Sequence, residues 1–243
     1  MAYASYIIGA EMKIKLYCDG ADLEDIRKLS KDEKIQGFTT NPTLMKKAGV
    51  NDYYAFAKKA VAVVDPKPIS LEVFSDDLDE MYVQARKLAM LGSNVYVKIP
   101  VTNTKGEFTG KILKRLSSEG VQLNVTAIFT LEQVKNVCLA LTVDTPAVIS
   151  VFAGRVADTG VDPIPHMKKC KTIVSAFPSF ELLWASPREV LNVYQADECG
   201  CEIITATPGI LSKLDLYGKS LDKFSLETVQ MFYNDATSAG YTL

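Results

Sequence analysis

Lys98 lies in VYVKIP, residues 95–100, an otherwise apolar run that ends on a proline. Valine, tyrosine and isoleucine suit a pleated, half-buried strand, and Pro100 ends the ladder by removing a donor. With a side-chain period of two, Tyr96 and Lys98 share one face, and Val95, Val97 and Ile99 share the other. A lysine there can blunt an edge strand or snorkel its amine to water. If it points instead into an apolar interior, loss of hydration lowers an amine's pKa and frees its lone pair to attack a carbonyl. The iminium so formed is an electron sink, which cleavage of a carbon–carbon bond beside a ketone requires. A carboxylate must then take the proton of the hydroxyl on the departing carbon, and Asp19 or Glu72 can serve. A structural ion-pair network joining Lys98 to Glu72 or Asp19 is the competing use of the same charges.

Other polar residues stand at comparable places. Asp19 follows IKLYC, Asn41 follows GFTT, Glu72 lies inside ISLEVF, and Asn124 and Thr126 lie in LNVTAIF. Ser150 is within AVISVF, Arg155 follows it, and Ser186 and Arg188 end FELLWAS. Buried charges are rare unless paired, so ionisable groups carried by several strands into one interior are hard to explain as packing.

These residues need a scaffold that brings strand ends together. Short β-branched runs alternate with amphipathic stretches along the whole chain: IKLYC, GFTT, ISLEVF, VYVKIP, LNVTAIF, AVISVF, FELLWAS and EIITAT are each followed by residues of helical spacing. Leu78, Met81, Ala85 and Leu88, for example, make one stripe. Strands alternating with helices imply a parallel sheet with helical crossovers, and eight such units in 243 residues predict a single closed (β/α)8 barrel. The rival, a doubly wound open sheet, usually carries a glycine-rich first turn, whereas here Cys-Asp-Gly-Ala-Asp follows the first strand. In a barrel the C-terminal strand ends converge on one mouth. Residues 1–12 are expected to be an N-terminal extension, and 221–240 a C-terminal helix on the barrel whose Met and Tyr stripe serves packing.

Composition narrows the function classes. The chain is 48% hydrophobic and 23% charged with a net charge of −2, which is ordinary globular usage without a basic footprint for nucleic acid or an anionic membrane. No run reaches the roughly 18 apolar residues of a spanning helix, and the opening lacks a secretory pattern, so a cytoplasmic protein is expected. Five scattered cysteines, at 18, 138, 170, 199 and 201, read as buried thiols rather than a disulfide framework. The single histidine, His166, excludes a metal site needing two imidazoles and reads as a surface or capping residue beside the helix start at Asp162 and Pro163. Oligomeric state is not legible, and a homo-oligomer is left open.

Taken together and in order, GFTTNPTL, SLEVF, VYVKIP, NVTAIFT, SVFAGR and ASPRE resemble the transaldolase family of class I aldolases, over about residues 14 to 215. The resemblance implies a (β/α)8 barrel with no metal and no organic cofactor, acting on small sugar phosphates. It makes Lys98 the Schiff-base lysine and Asp19 the acid/base for the C4 hydroxyl. Glu72 and Thr126 would hold the water of carbinolamine formation and breakdown. Asn41, Asn124 and Ser150 would bind the three-carbon fragment, while Arg155, Ser186 and Arg188 would hold phosphate, a task suited to the guanidinium fork. A related subgroup that releases free dihydroxyacetone has glutamine in place of Glu72 and tyrosine in place of Phe152. A phenol can protonate the enamine and phenylalanine cannot, so the resemblance favours transfer to an acceptor over release. A release-type aldolase and a non-catalytic sugar-phosphate-binding barrel are the alternatives.

Overall fold

A computed structural model describes residues 12–242 of the chain. All eight expected strands form: β1 (Lys15–Asp19), β2 (Ile35–Thr39), β3 (Ile69–Glu72), β4 (Val95–Pro100), β5 (Leu123–Ile128), β6 (Ala147–Val151), β7 (Phe180–Trp184) and β8 (Ile203–Ala206). They pair in parallel, in sequence order, and β8 returns to β1 to close the barrel. The doubly wound alternative is thereby excluded. Closure leaves no unpaired edge, so the edge-blunting use of Lys98 disappears with it.

The helices between strands form where local chemistry allows. Asp22, Asp52 and Asp77 each accept a backbone N–H of the following first turn, which satisfies donors a helix cannot pair internally. Met81, Ala85 and Leu88 are the buried residues of the helix Leu78–Ala89, and each fully buried large side chain among them contributes about 2 kcal/mol. The outer faces of the strands meet these helices through Val97, Ile99, Val125 and Ile149, all fully buried.

Inside the barrel the alternate residues stack in layers. At the N-terminal end Lys15 pairs with Glu181 at 2.5 Å. Above it Tyr17, Val148, Leu183, Ala185 and Ile203 form an apolar layer, with Tyr96 and Phe152 packed against it. Tyr17 fits because its neighbour is Gly37, where a Cβ would lie 2.4 Å from the ring. Burial, with Glu181 nearby, pushes the Tyr17 phenol well above its ordinary range and keeps it neutral. The layer above this apolar plug is polar.

All five cysteines are buried and free, and burial raises the thiols of Cys138 and Cys170 to about 12. His166 departs from expectation. Asp162 caps the helix Pro163–Val174 by accepting from Ile164 N–H, so His166 lies inside the first turn rather than at the cap. It is half-buried and hydrogen-bonded to the Phe129 backbone, and burial depresses its pKa.

The described chain divides into two compact units. Met12–Leu211 is the barrel; the other contains Ser212 onward and is built on the helix Leu221–Ala239, capped by Ser220 and ended by Gly240 in the left-handed region at φ 68°. The expected extension 1–12 lies, apart from Met12, outside the described residues. Among the described residues no helix is long and apolar enough to cross a membrane.

Candidate active site

The C-terminal strand ends surround a cavity of about 540 Å³, and every candidate residue lines it: Lys98, Asp19, Glu72, Thr126, Asn41, Asn124, Ser150, Phe152, Arg155, Ser186 and Arg188. Parity and register explain the convergence. Glu72 sits opposite Lys98 in the β3–β4 ladder and Lys98 opposite Asn124 in β4–β5, so three inward side chains occupy one level on adjacent strands.

Lys98 is only 7% exposed. Its Nζ donates to the Thr40 carbonyl at 3.0 Å and lies 3.2 Å from Glu72 Oε2. The Thr40 carbonyl is held in turn because Thr40 N–H and Oγ1 both donate to the Ser70 carbonyl. The ion pair anticipated as a purely structural device therefore exists, but it opens on a cavity. At 3.2 Å the carboxylate is within reach of the amine for proton exchange, directly or through one water.

Asp19 stands at the end of β1 with both oxygens engaged. Thr39 Oγ1 donates to Oδ1 at 2.8 Å and Asn41 Nδ2 to Oδ2 at 3.3 Å. Burial raises the Asp19 pKa, and Lys98, Thr39 and Asn41 oppose the shift without cancelling it. A carboxylate with a raised pKa takes a proton more readily and can return it within the site. Asn41 is also the N-cap of the helix Pro42–Lys47, where its Oδ1 accepts from Leu44 N–H at 3.0 Å. This second bond fixes which end of the amide faces Asp19.

Beside Lys98 a polar chain links β3, β5 and β6. Ser150 Oγ donates to Asn124 Oδ1 at 2.6 Å, and Asn124 Nδ2 donates to Ser70 Oγ at 2.9 Å. Thr126 Oγ1 is buried with no partner and borders the cavity, an arrangement that leaves it able to bind a water or a substrate hydroxyl. A register shift between Val125 and Ile128, with Ala127 at φ 59°, aims this end of β5.

The mouth carries the two arginines. Arg155 sits 5.7 Å over the Phe152 ring, which itself packs on Phe129 at 5.7 Å. Arg188 donates from Nε to Asp158 Oδ1 at 2.9 Å and from Nη2 to Asp158 Oδ2, and its Nη1 reaches Ser186 Oγ at 3.3 Å. Hydrogen bonds from Arg188 hold the Asp158 carboxyl below its usual range, with the charges of Arg188 and Arg155 adding to the effect. With its Nε and Nη2 edge used on Asp158, the guanidinium has Nη1 left for the cavity side. Among the described residues no cluster suited to hold a metal ion occurs.

The family model described as Transaldolase/Fructose-6-phosphate aldolase matches residues 16–242. The chain belongs to that family. Relatives of this transaldolase/aldolase family include a probable transaldolase of Nitrosopumilus maritimus (strain SCM1), 34% identical over 203 residues, covering 83% of this chain and 87% of that protein. Another is a probable transaldolase of Methanococcus maripaludis (strain C7 / ATCC BAA-1331), 34% identical over 215 residues, covering 87% and 95%. Among solved structures, KGPDC from Streptococcus mutans is similar with a TM-score of 0.54 at 12% identity, covering 82% of this chain and 88% of that one. A native KDPGal structure gives 0.55 at 12%, covering 95% and 98%. At these identities the structural likeness shows the barrel fold alone.

Within the family's barrel, four contributors escaped the sequence reading: Thr39, Thr205, Ser70 and the Thr40 carbonyl. Parity could have found Thr205, the hydroxyl two residues after inward Ile203 in EIITAT, and Thr39, two before Asn41. Nothing local marks a backbone carbonyl as a lysine's partner.

Proposed function

We propose that this protein, an enzyme of the transaldolase type, transfers a dihydroxyacetone unit from sedoheptulose 7-phosphate or fructose 6-phosphate to glyceraldehyde 3-phosphate or erythrose 4-phosphate, in the pentose phosphate pathway. The observation that carries the proposal is Lys98: an amine 7% exposed, on the floor of a cavity of about 540 Å³, with Glu72 at 3.2 Å and Asp19 lining the same cavity.

In this reading the Lys98 lone pair adds to the C2 ketone of the donor. Glu72, with Thr126, holds the water that gives and takes protons as the carbinolamine forms and loses hydroxide as water. Asp19 then takes the C4 hydroxyl proton. The C3–C4 bond breaks, its electron pair passes to the iminium to give an enamine, and an aldose phosphate leaves. The enamine carbon adds to the acceptor aldehyde, Asp19 returns the proton, and hydrolysis frees Lys98. Asn41, Asn124 and Ser150 bind the hydroxyls of the retained fragment. Arg155, Ser186 and Arg188 hold the phosphate. Phe152, which carries no proton to donate to the enamine, and Glu72 both support transfer rather than release.

Borohydride with fructose 6-phosphate should leave a covalent adduct on Lys98, and sedoheptulose 7-phosphate should be consumed only when glyceraldehyde 3-phosphate is present. Unmodified enzyme, or normal turnover by Lys98→Ala, would overturn the reading.

A further inference from the structure

Beyond the residues already assigned, Asp19 is backed by a hydroxyl pair. Thr39 Oγ1 lies 2.8 Å from Asp19 Oδ1 and 2.6 Å from Thr205 Oγ1. Both threonines are buried, and they come from β2 and β8, the two strands flanking β1. A hydroxyl has one proton. When Asp19 is ionised it has none to offer, so Thr39 must donate to it, and at 2.6 Å the remaining bond can only run from Thr205 to Thr39. The direction of the whole chain is thus set by the charge on Asp19.

The other oxygen of Asp19 has no such freedom. Asn41 is locked by its cap bond to Leu44 N–H, so its Nδ2 can donate to Oδ2 and cannot accept. If Asp19 carries a proton on Oδ1, Thr39 is the protein hydroxyl at hand to receive it, and it can do so only by turning its own proton onto Thr205 Oγ1. We infer that Thr205 is a positioning residue for the proton-transfer carboxylate: the Thr205–Thr39 pair is a two-hydroxyl relay that points toward Asp19 when it is the base and reverses when it is the acid. No net proton moves along the relay; each hydroxyl turns about its own C–O bond, so heavy atoms stay in place while the charge state changes. The inference rests on the proposed role of Asp19.

The charged groups around Asp19 are Lys98 from β4, its partner Glu72 from β3, and Arg155 and Arg188 at the mouth; the neighbouring Cys18 thiol is held neutral by burial, its pKa raised to about 12. None of these is touched by exchanging a threonine for valine at 205, which keeps the shape and removes the hydroxyl.

The test uses the full-length protein labelled with ¹³C at aspartate carboxyls, the Asp19 signal being identified by its loss in Asp19→Asn. Thr205→Val should lower the Asp19 titration midpoint, because Thr39 then has no acceptor for its own proton and cannot receive one from the protonated carboxyl. It should also lower kcat roughly tenfold with KM within about twofold, and Thr205→Ser should restore both. Thr39→Val should instead raise the midpoint by removing the donor to the carboxylate, and the double variant should match Thr39→Val alone, since the two hydroxyls act in series. An unchanged or raised midpoint in Thr205→Val, a rise in KM alone, additive midpoints, or a serine variant as impaired as the valine one would each overturn the relay. The titration needs no turnover, so it separates the two claims: if borohydride labels nothing in the wild type while the midpoint moves as stated, the reaction reading falls and the relay stands.

Discussion

The carbonyl oxygen of Ser186 lies where a Cβ on Gly154 would be, 1.6 Å from its ideal position. Ser186 itself is left-handed, at φ 62°, a conformation that costs a non-glycine residue about 1–3 kcal/mol. The two features belong together. The β7 strand must turn sharply at Ser186 to present Arg188, the turn throws its carbonyl against the helix Ala153–Asp158 that presents Arg155, and only glycine leaves room.

Gly154→Ala should therefore destabilise the protein by about 1–3 kcal/mol or more, as overpacking against backbone does. It should raise KM for phosphorylated donors because the Ser186–Arg188 segment has to move. Thermal melting and steady-state kinetics check this; an unchanged melting point and KM would mean the loop yields freely.

Asp19→Asn should separate stability from activity. Cleavage is expected to fall by a factor of about 10²–10⁴. Burial raises the folded pKa of Asp19 above its unfolded value, so the ionised carboxylate is disfavoured in the fold. That penalty is absent below the unfolded pKa, grows as pH rises through the window between the two values, and is complete above the folded one. The asparagine variant should accordingly be more stable than wild type at neutral pH, with the gain fading in acid. Melting temperatures across pH test the sign. In the wild type, kcat for cleavage should fall as pH drops through the raised pKa, since the base form is lost.

Arg188→Ala should chiefly raise KM, by roughly tenfold or more, if its contact is equally strong in ground and transition states. Arg188→Lys should recover little, because a lysine cannot both hold Asp158 side-on and offer a second nitrogen to the cavity. Inorganic phosphate as a competitive inhibitor reads the same site, and its inhibition should weaken in parallel.

Glu72→Gln combined with Phe152→Tyr should shift product partition from transfer toward free dihydroxyacetone. The phenol supplies the enamine with a proton that phenylalanine lacks, and water then completes release. Product analysis with and without an acceptor aldehyde measures it; transfer as efficient as in the wild type would show that the donor-side partition is set elsewhere.

The barrel was legible because its signals are local. A period of two put Lys98 and Tyr96 on one face of their strand, and the alternation of β-branched and amphipathic segments named all eight strands. The resemblance carried by the motif order named residues that all line the cavity. His166 was misplaced because Asp162 and Pro163 both mark a helix start, and the sequence does not say that the cap is already satisfied when the histidine is reached.

By itself, then, the chain's pattern of apolar and polar residues determined the number of strands and which charged side chains stand near their ends. Three things waited for the folded molecule: the Thr40 carbonyl as partner to Lys98, the contact of Gly154 with Ser186, and the pairing of Thr39 with Thr205 across 166 residues. Each depends on how neighbouring strands are staggered and where the last returns to the first, and those offsets arise from closing the ring, to which no single segment carries a local signal.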